Sequence, residues 1–145
     1  PSARRRIEGW RAVLESAEVP VAPPLFGDWS VRSGYEFGRL LALDREVTAI
    51  FAANEEMALG VMRAMSEAGR EVPRDVSIIG FDDVPFARYR TPPLTTVGQG
   101  FEGLGQRSVH PLMDAIRGVD DSRVQAAITT ELVVRGSTAP AVIRA

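Results

Sequence analysis

The stretch VTAIFAANEEMALGVMRAMSEAGREVPRDVSIIGFDD, residues 47–83, decides the fold of this chain. It begins with an apolar, β-branched and aromatic run of strand length over 47–53 and ends with another strand-like run over 75–81. Between these runs, apolar side chains recur at the spacing of one helix face. Strand, helix and strand in this order predict a right-handed crossover between two parallel strands. The predicted fold class is therefore α/β, with a parallel sheet flanked by helices.

Signals at both ends support the central helix of this unit. Asn54 stands where the helix begins, and its side chain can cap free N–H groups. Glu55 and Glu56 follow in the first turn, where negative charge suits the helix dipole. Gly69 stands where the helix ends, and glycine readily takes the left-handed conformation that is common at that point. The helix is predicted to run between Asn54 and Gly69.

Further elements are predicted on both sides of this unit. Ser2 and Ser30 are placed to cap two earlier helices, and the first of these helices ends before Pro20. In the second helix, Gly34 and Gly38 lie one turn apart and allow a neighbour to approach closely. Later in the chain, the patterns predict a strand over 94–97, a helix over about 101–116 and an alternating strand over 126–135.

The composition is that of a globular protein and argues against several kinds of site. Of the 145 residues, 45% are hydrophobic and 25% are charged, and a formal net charge of −2 leaves no basic surface to attract nucleic acid. The chain contains no cysteine, which excludes disulfides and Cys-rich zinc sites. The single histidine, His110, argues against a histidine metal site. We therefore predict neither a metal ion nor a cofactor.

The lengths of the apolar segments predict where in the cell the protein is found. No apolar run approaches the roughly 18 residues that a membrane span needs, and the first residues lack the apolar segment of a signal peptide. We expect a cytoplasmic protein. The chain starts at Pro1, without a methionine, and a helical pattern begins at once, which indicates part of a longer protein.

Polar and aromatic side chains follow the ends of the predicted strands. Asn54, Asp82 and Asp83 come directly after two of the strands, and Trp29 follows an extended segment before the second helix. Arg6, in the first turn of the first helix, is expected on the same rim. Since open parallel sheets bind ligands at the carboxyl ends of their strands, these residues predict a shared ligand site.

Each of these side chains also has a purely structural interpretation. Asp82 and Asp83 could cap or turn the chain, and adjacent residues on an extended chain point in opposite directions, so only one of them can face a cleft. Asn54 could act as an N-cap alone, and Trp29 could be a core aromatic residue. The strand-to-helix turn around Trp29 favours a partly open ring, which suits the C–H face of a sugar or a planar base.

Three motifs resemble the LacI/GalR family of bacterial transcription regulators. NEEMALGVMRAMSEAGREVPRDVSIIGFDDVPFARYRTPPLTTVGQ, residues 54–99, closely resembles the effector-binding domain of that family. GDWSVRSGY, residues 27–35, is similar to the lactose-type repressors, and SARRRIEGW, residues 2–10, resembles the helix start that the family writes as R…R…GF. The resemblance extends from residue 1 to about residue 137, which is nearly the whole chain.

The resemblance implies a particular architecture. In that family, the effector domain has two periplasmic-binding-protein-like lobes joined by crossing strands, and a helix-turn-helix headpiece precedes it. This chain is then expected to lack the headpiece and most of the N-terminal lobe. Residues 1–98 and 129–137 would form the C-terminal lobe, whereas residues 99–128 would form a crossover and a helix of the absent lobe. Pro111 departs from the family pattern and is expected to kink or split that helix near His110.

The resemblance also implies a role for each site residue. Arg6 and Asp82 would hydrogen-bond hydroxyl groups of the effector, and Asp83 would turn the chain. Trp29 would stack on the effector ring, which favours a sugar over a purine, and Asn54 would add a polar contact. The positions that match weaker polar contacts or crossover residues near the cleft are Ser2, Gln99, Phe101 and Leu104.

The function implied is the effector-sensing portion of a LacI-type repressor without enzyme activity. A small sugar or related ligand would bind in a cleft between the lobes and modulate operator binding, with operator DNA held by a headpiece outside this chain and the protein acting as a homodimer. Two other functions remain open. One is a periplasmic sugar-binding protein of an ABC transporter, which has the same superfold. The other is an enzyme that binds Mg²⁺ through Asp82 and Asp83. Such enzymes also need an acidic residue at another strand end, a Ser or Thr and a Lys, and the sequence does not contain these in the expected order.

Overall fold

The structure of the protein is a computed structural model that describes residues 2–100, Val109, Met113, Ile116, Arg117 and residues 130–140. Helices and strands alternate over most of the described chain. In order, the elements are α1 (Ser2–Ser16), α2 (Val31–Ala42), β1 (Ala49–Phe51), α3 (Glu55–Glu67), β2 (Ser77–Asp82), a 3-10 helix (Pro85–Tyr89), β3 (Thr95–Gly98) and β4 (Glu131–Val133).

The four strands form one sheet in the order β1-β2-β3-β4. β1, β2 and β3 are parallel, with Phe51 opposite Ile79 and Asp82 opposite Gly98. β4 pairs with β3 in the antiparallel direction, with Leu132 opposite Val97. The predicted parallel sheet is thus confirmed for its first three strands and is extended by an antiparallel edge strand. The carboxyl ends of β1, β2 and β3 all meet at one edge.

Three of the predicted end signals are confirmed by the structure. The Ser30 hydroxyl accepts the Ser33 N–H at 3.1 Å at the start of α2, and Asn54 Oδ1 accepts the Met57 N–H at 2.9 Å at the start of α3. Gly69 has a φ of +67° just after α3. Ser2 differs from its prediction, because it is the first residue of α1 and not the cap that precedes the helix.

The core lies between α3 and the sheet. Met65 of α3, Ile78 of β2 and Leu94 before β3 are among its buried side chains. α2 packs on the other side of α3 at backbone contact, since a Cβ atom added to Gly34 would lie 2.2 Å from the Met57 carbonyl oxygen and one added to Gly60 would lie 2.1 Å from the Val31 oxygen. This close approach fixes the start of α3, and with it Asn54, relative to α2.

The connection from β2 to β3 differs from the connection from β1 to β2, which contains α3. It contains the 3-10 helix and no α-helix, and its buried Ala87 accepts the Leu94 N–H at 2.9 Å. Most of the predicted helix over 101–116, with its expected kink at Pro111, lies outside the described residues.

None of the described helices has the length and apolar character that a membrane span requires.

Candidate functional site

Arg6 of α1 lies at the carboxyl edge of the sheet, against two aromatic rings. Its guanidinium carbon is 5.3 Å from the centre of the Trp29 ring and 4.1 Å from the centre of the Phe81 ring. A cation at these distances is attracted to the negative face of a ring. The Arg6 side chain also donates a hydrogen bond to the Ala53 carbonyl oxygen, just after β1. Arg6 therefore joins α1 to the ends of β1 and β2, as the sequence predicted for this rim.

Trp29 stands in the turn that leads into α2 and keeps an open ring. Trp29 is 45% exposed, and its φ of +70° is uncommon for a residue with a bulky side chain. The preceding residue, Asp28, accepts hydrogen bonds from the Ser30 hydroxyl at 2.5 Å and the Ser30 N–H at 3.1 Å. Hydrogen bonds from Ser30 and then from Ser33 lower the pKa of Asp28 to about 2. An ionised Asp28 thus holds the turn that presents the Trp29 ring.

Asn54 is almost fully buried and has two structural partners. Its Oδ1 caps α3 through the Met57 N–H, and its Nδ2 donates to the Trp29 carbonyl oxygen at 2.9 Å. One hydrogen of the Asn54 amide group is left for another acceptor. The side chain couples the start of α3 to the Trp29 turn.

Asp82 ends β2 with an unusual backbone conformation. Its φ is +111° and that of Asp83 is +55°, and non-glycine residues in such regions occur mainly where surrounding structure holds them. The Gln99 side chain, which follows β3, donates a hydrogen bond to Asp82 Oδ1. Asp82 also follows Phe81, the residue whose ring lies against Arg6. Asp82, at the end of β2, and Gln99, directly after β3, thus meet at the carboxyl edge of the sheet, where Arg6 also lies.

Asp83 makes its contacts with the body of the protein. Its Oδ1 forms an ion pair with Arg135 Nη2 at 2.6 Å, and both side chains are mostly buried. Its N–H group donates to Glu55 Oε1 at 2.7 Å. Asp83 therefore ties the turn after β2 to α3 and to the segment that follows β4.

Two residues of this edge were not among the predicted site residues. Phe81 was predicted only as part of a strand, and Glu55 only as a favourable charge in the first turn of α3. Glu55 is in fact 0% exposed, and its Oε1 accepts hydrogen bonds from the Thr96 hydroxyl and from the Asp83 N–H. Its position directly after Asn54, at the end of a strand, was the signal in the sequence that could have placed it at this edge.

The environment of Glu55 changes its ionisation. Burial raises the pKa of its carboxyl group above the ordinary value of 4.5, the bonds from Thr96 and Asp83 act in the opposite direction, and the nearby charge of Asp82 adds to the increase. The buried Glu55 and Asp82 are therefore close enough for the charge of Asp82 to affect the pKa of Glu55.

The remaining predicted positions cannot be placed at the site. Ser2 begins α1, but its side chain is not described, and Phe101 and Leu104 lie outside the described residues. Among the residues that are described, no group of three or more His, Cys, Asp or Glu side chains could hold a metal ion.

Comparison with known proteins places this architecture in a family. The sequence profile described as a periplasmic binding protein-like domain matches residues 1–138. The chain belongs to the periplasmic binding protein-like family. This periplasmic binding protein-like chain is 40% identical over 140 residues to the lactose operon repressor of Klebsiella pneumoniae, covering 96% of the chain and 39% of the repressor. It is 39% identical over 142 residues to the transcriptional repressor PurR of Haemophilus influenzae, covering 94% of the chain and 42% of PurR.

Solved structures agree with the sequence relatives. A LacI family transcriptional regulator from Enterococcus faecium with bound ribose has a TM-score of 0.86 and 36% identity, over 94% of this chain and 51% of that one. The Lac repressor dimer bound to operator and the anti-inducer ONPF has a TM-score of 0.82 and 36% identity, over 94% and 48%. The predicted resemblance to LacI-type regulators is thus confirmed. The periplasmic binding protein-like chain spans about two fifths of its curated relatives, as the coverage of 39% and 42% gives.

Proposed function

We propose that this chain is the effector-sensing part of a LacI-type transcription regulator, which binds a small sugar or related molecule and thereby alters operator binding. The observation that carries the proposal is the Arg6 guanidinium against the Trp29 and Phe81 rings at the carboxyl edge of the sheet. The relatives support it, since they are repressors and the similar structures include complexes with ribose and sucrose. They favour a regulator over a periplasmic sugar-binding protein of a transporter.

The proposed ligand contacts follow from the chemistry of each side chain. Arg6 has five N–H donors, so it can serve ligand hydroxyl groups in addition to the Ala53 carbonyl oxygen. The carboxylate of Asp82 accepts from sugar hydroxyls, and the open ring of Trp29 offers an apolar plane to the C–H face of a pyranose. The remaining amide hydrogen of Asn54 and the Gln99 side chain add polar contacts. Ser2 and Phe101 are proposed as further contacts on the resemblance alone.

The proposed domain division explains how binding could be transmitted. Residues 1–98 and 129–137 form one lobe, and residues 99–128 form the crossover and a helix of a second lobe. The pairing of β4 with β3 and the ion pair between Arg135 and Asp83 support this division, because they return the chain to the sheet of the first lobe. A ligand held between two lobes favours one interlobe angle, and that preference is the coupling free energy that operator binding reports.

The wider setting belongs to the same proposal. The full protein is a cytoplasmic homodimer that binds operator DNA through a headpiece, and it is a sensor without enzyme activity, metal or cofactor. The Lac repressor dimer bound to operator supports the dimer and the DNA partner by similarity.

Calorimetry on the full-length product of the gene tests the proposal with ribose, sucrose and cellobiose as probes. Wild type is expected to bind at least one of them, and Arg6→Ala or Asp82→Ala to weaken that binding about tenfold or more, since each removes a charge-assisted hydrogen bond. Trp29→Ala is expected to weaken it about three- to tenfold. Arg5→Ala, an exposed neighbour on α1, is the matched control and should bind as wild type does. Unchanged affinity in both Asp82→Ala and Trp29→Ala would exclude this site.

A further inference from the structure

The carboxyl group of Glu55 is buried under the turn that carries Asp82. One oxygen, Oε1, accepts both the Asp83 N–H at 2.7 Å and the Thr96 hydroxyl. The side chain runs across β2, since a Cβ atom added to Gly80 would lie 3.5 Å from Glu55 Cγ. A single acceptor on the first residue of α3 therefore holds the end of β2 and the middle of β3 together.

The turn that this acceptor holds does not adopt a relaxed conformation. Asp82 and Asp83 have φ values of +111° and +55°, in regions that side-chain-bearing residues rarely adopt. Such a conformation persists only where its surroundings over-determine it. Here the surroundings are the Glu55 acceptor on the Asp83 N–H, the Arg135 ion pair on the Asp83 carboxylate and the Gln99 bond to Asp82.

Helix capping alone does not account for a carboxyl group in this place. Glu56 lies in the same first turn of α3, is only half-buried, and also supplies negative charge to the helix N-terminus. Burying a carboxyl group completely is unfavourable unless its hydrogen bonds compensate. Glu55 Oε2 has no hydrogen-bond partner among the described residues, so the two bonds to Oε1 are the compensation that the structure records. The buried carboxyl group of Glu55 thus stabilises the turn after β2 more than it stabilises the start of α3.

We propose that Glu55 is a positioning residue for ligand recognition, whose buried carboxyl group keeps the Asp82–Asp83 turn in the conformation that presents Asp82 to a ligand. This inference rests on the proposed function, to which it adds the residue that orders one ligand-binding group. Glu55 acts through Asp83 and Asp82 and does not contact the ligand. The Gln99 bond to Asp82 supports the same turn from the end of β3.

Three variants of the full-length protein separate positioning from general stability. Glu55→Ala removes the acceptor, Glu55→Gln keeps a carbonyl acceptor of the same reach without the charge, and Glu56→Ala is the control in the same helical turn. Calorimetry uses whichever of ribose, sucrose and cellobiose binds wild type. Affinity is expected to fall about tenfold or more in Glu55→Ala, to return to within about threefold of wild type in Glu55→Gln, and to be unchanged in Glu56→Ala.

A residue that only stabilises the fold would give a different result. Glu55→Ala would then lower the midpoint of unfolding while the folded protein kept its affinity, and that outcome would overturn the proposal. If Glu55→Ala does not fold, Glu55→Asp replaces it, because the shorter side chain keeps the charge but withdraws from the Asp83 N–H. Glu55→Asp should lose affinity to a similar degree, and a wild-type affinity for this variant also counts against the proposal.

Hydrogen exchange of the Asp83 amide, measured by NMR without any sugar, keeps the inference separate from the proposed function. Exchange should be about tenfold faster in Glu55→Ala or Glu55→Asp than in Glu56→Ala, because the amide has lost its acceptor. If no sugar binds wild type, the proposed function fails while faster exchange still supports the role of Glu55 in holding the turn. Equal exchange rates in all variants overturn that role whatever the sugars do.

Discussion

The guanidinium carbon of Arg6 lies 4.1 Å from the centre of the Phe81 ring, so the first helix of the chain is joined to the last part of the second strand. This contact brings together two residues that lie far apart in the sequence. It also places a cation beside the residue that precedes Asp82. The same guanidinium faces the open ring of Trp29. At the carboxyl edge of the sheet, the Arg6 cation therefore lies against two aromatic rings, and the acidic residue Asp82 directly follows one of them, Phe81.

The interaction between Arg6 and Phe81 should be measurable in a double-mutant cycle. Phe81→Leu keeps much of the apolar volume and removes the ring face, while Arg6→Met keeps the apolar stem and removes the cation. We expect a coupling free energy of about 1 kcal/mol from the cation–π contact, read from urea unfolding of the two single variants and the double variant. The cycle of Phe81→Leu with Arg5→Met is the control and should give no coupling. Equal coupling in both cycles would mean that the contact adds nothing specific.

Glu55 should give the protein a characteristic dependence of stability on pH. Because burial raises the pKa of Glu55 above 4.5, the folded protein holds this proton more tightly than the unfolded chain does. The stabilisation from Glu55 is complete below the unfolded value and is lost as the pH rises through the higher folded value. The free energy of unfolding of Glu55→Gln should therefore improve relative to wild type as the pH rises from about 4 to about 7.5.

Denaturant unfolding at several pH values checks this expectation. Glu56→Gln is the control, and its difference from wild type should show no comparable rise across the range. A constant difference between Glu55→Gln and wild type would mean that the Glu55 carboxyl group has the same affinity for a proton in both states.

Arg70 should be among the most important residues for stability, although it lies away from the site. It is 1% exposed, and its guanidinium donates to four backbone carbonyl oxygens: those of Asp44 at 2.9 Å, Asp75 at 3.3 Å, Leu41 at 3.4 Å and Val47. Arg70→Met leaves these carbonyl groups buried without that donor, and we expect a loss of about 3 kcal/mol in the free energy of unfolding. Arg70→Lys should recover only part of it, because an ammonium group cannot span the four carbonyl oxygens.

The neighbouring exposed arginine provides the comparison. Arg74 pairs with Glu71 and Asp75 at the surface, and its side chain is 65% exposed. Arg74→Met is expected to change the free energy of unfolding by about 0.5 kcal/mol or less. Thermal and urea unfolding of both variants gives the answer, and similar losses for Arg70→Met and Arg74→Met would contradict the role assigned to Arg70.

The sequence predicted the elements whose signals are local. The strand, helix and strand of residues 47–83 follow from periodicity within short windows, and Asn54 and Gly69 mark the ends of α3 by rules that involve a few neighbouring residues. The edge where these side chains meet was predictable for the same reason, because the strand ends of a parallel sheet meet at one edge. Arg6 and Trp29 are found at that edge.

The features that were not predicted all depend on pairing between distant segments. The direction of β4 is set by its partner β3, and alternation of side chains is the same for parallel and antiparallel strands. Glu55 satisfied a local rule for helix starts, so nothing in its neighbourhood indicated that the Asp83 N–H and the Thr96 hydroxyl would surround its carboxyl group. From the sequence, Phe81 was predicted only as an apolar residue of a strand, and its contact with Arg6 is visible only in the structure.

The two partners of Asn54 have a consequence for the genetics of this protein. One amide side chain both caps α3 and holds the Trp29 carbonyl oxygen. A missense substitution of Asn54 would weaken both the start of α3 and the turn that carries Trp29. If the proposed function holds, affinity for the ligand and thermal stability would decline together, and a second-site suppressor would have to restore both.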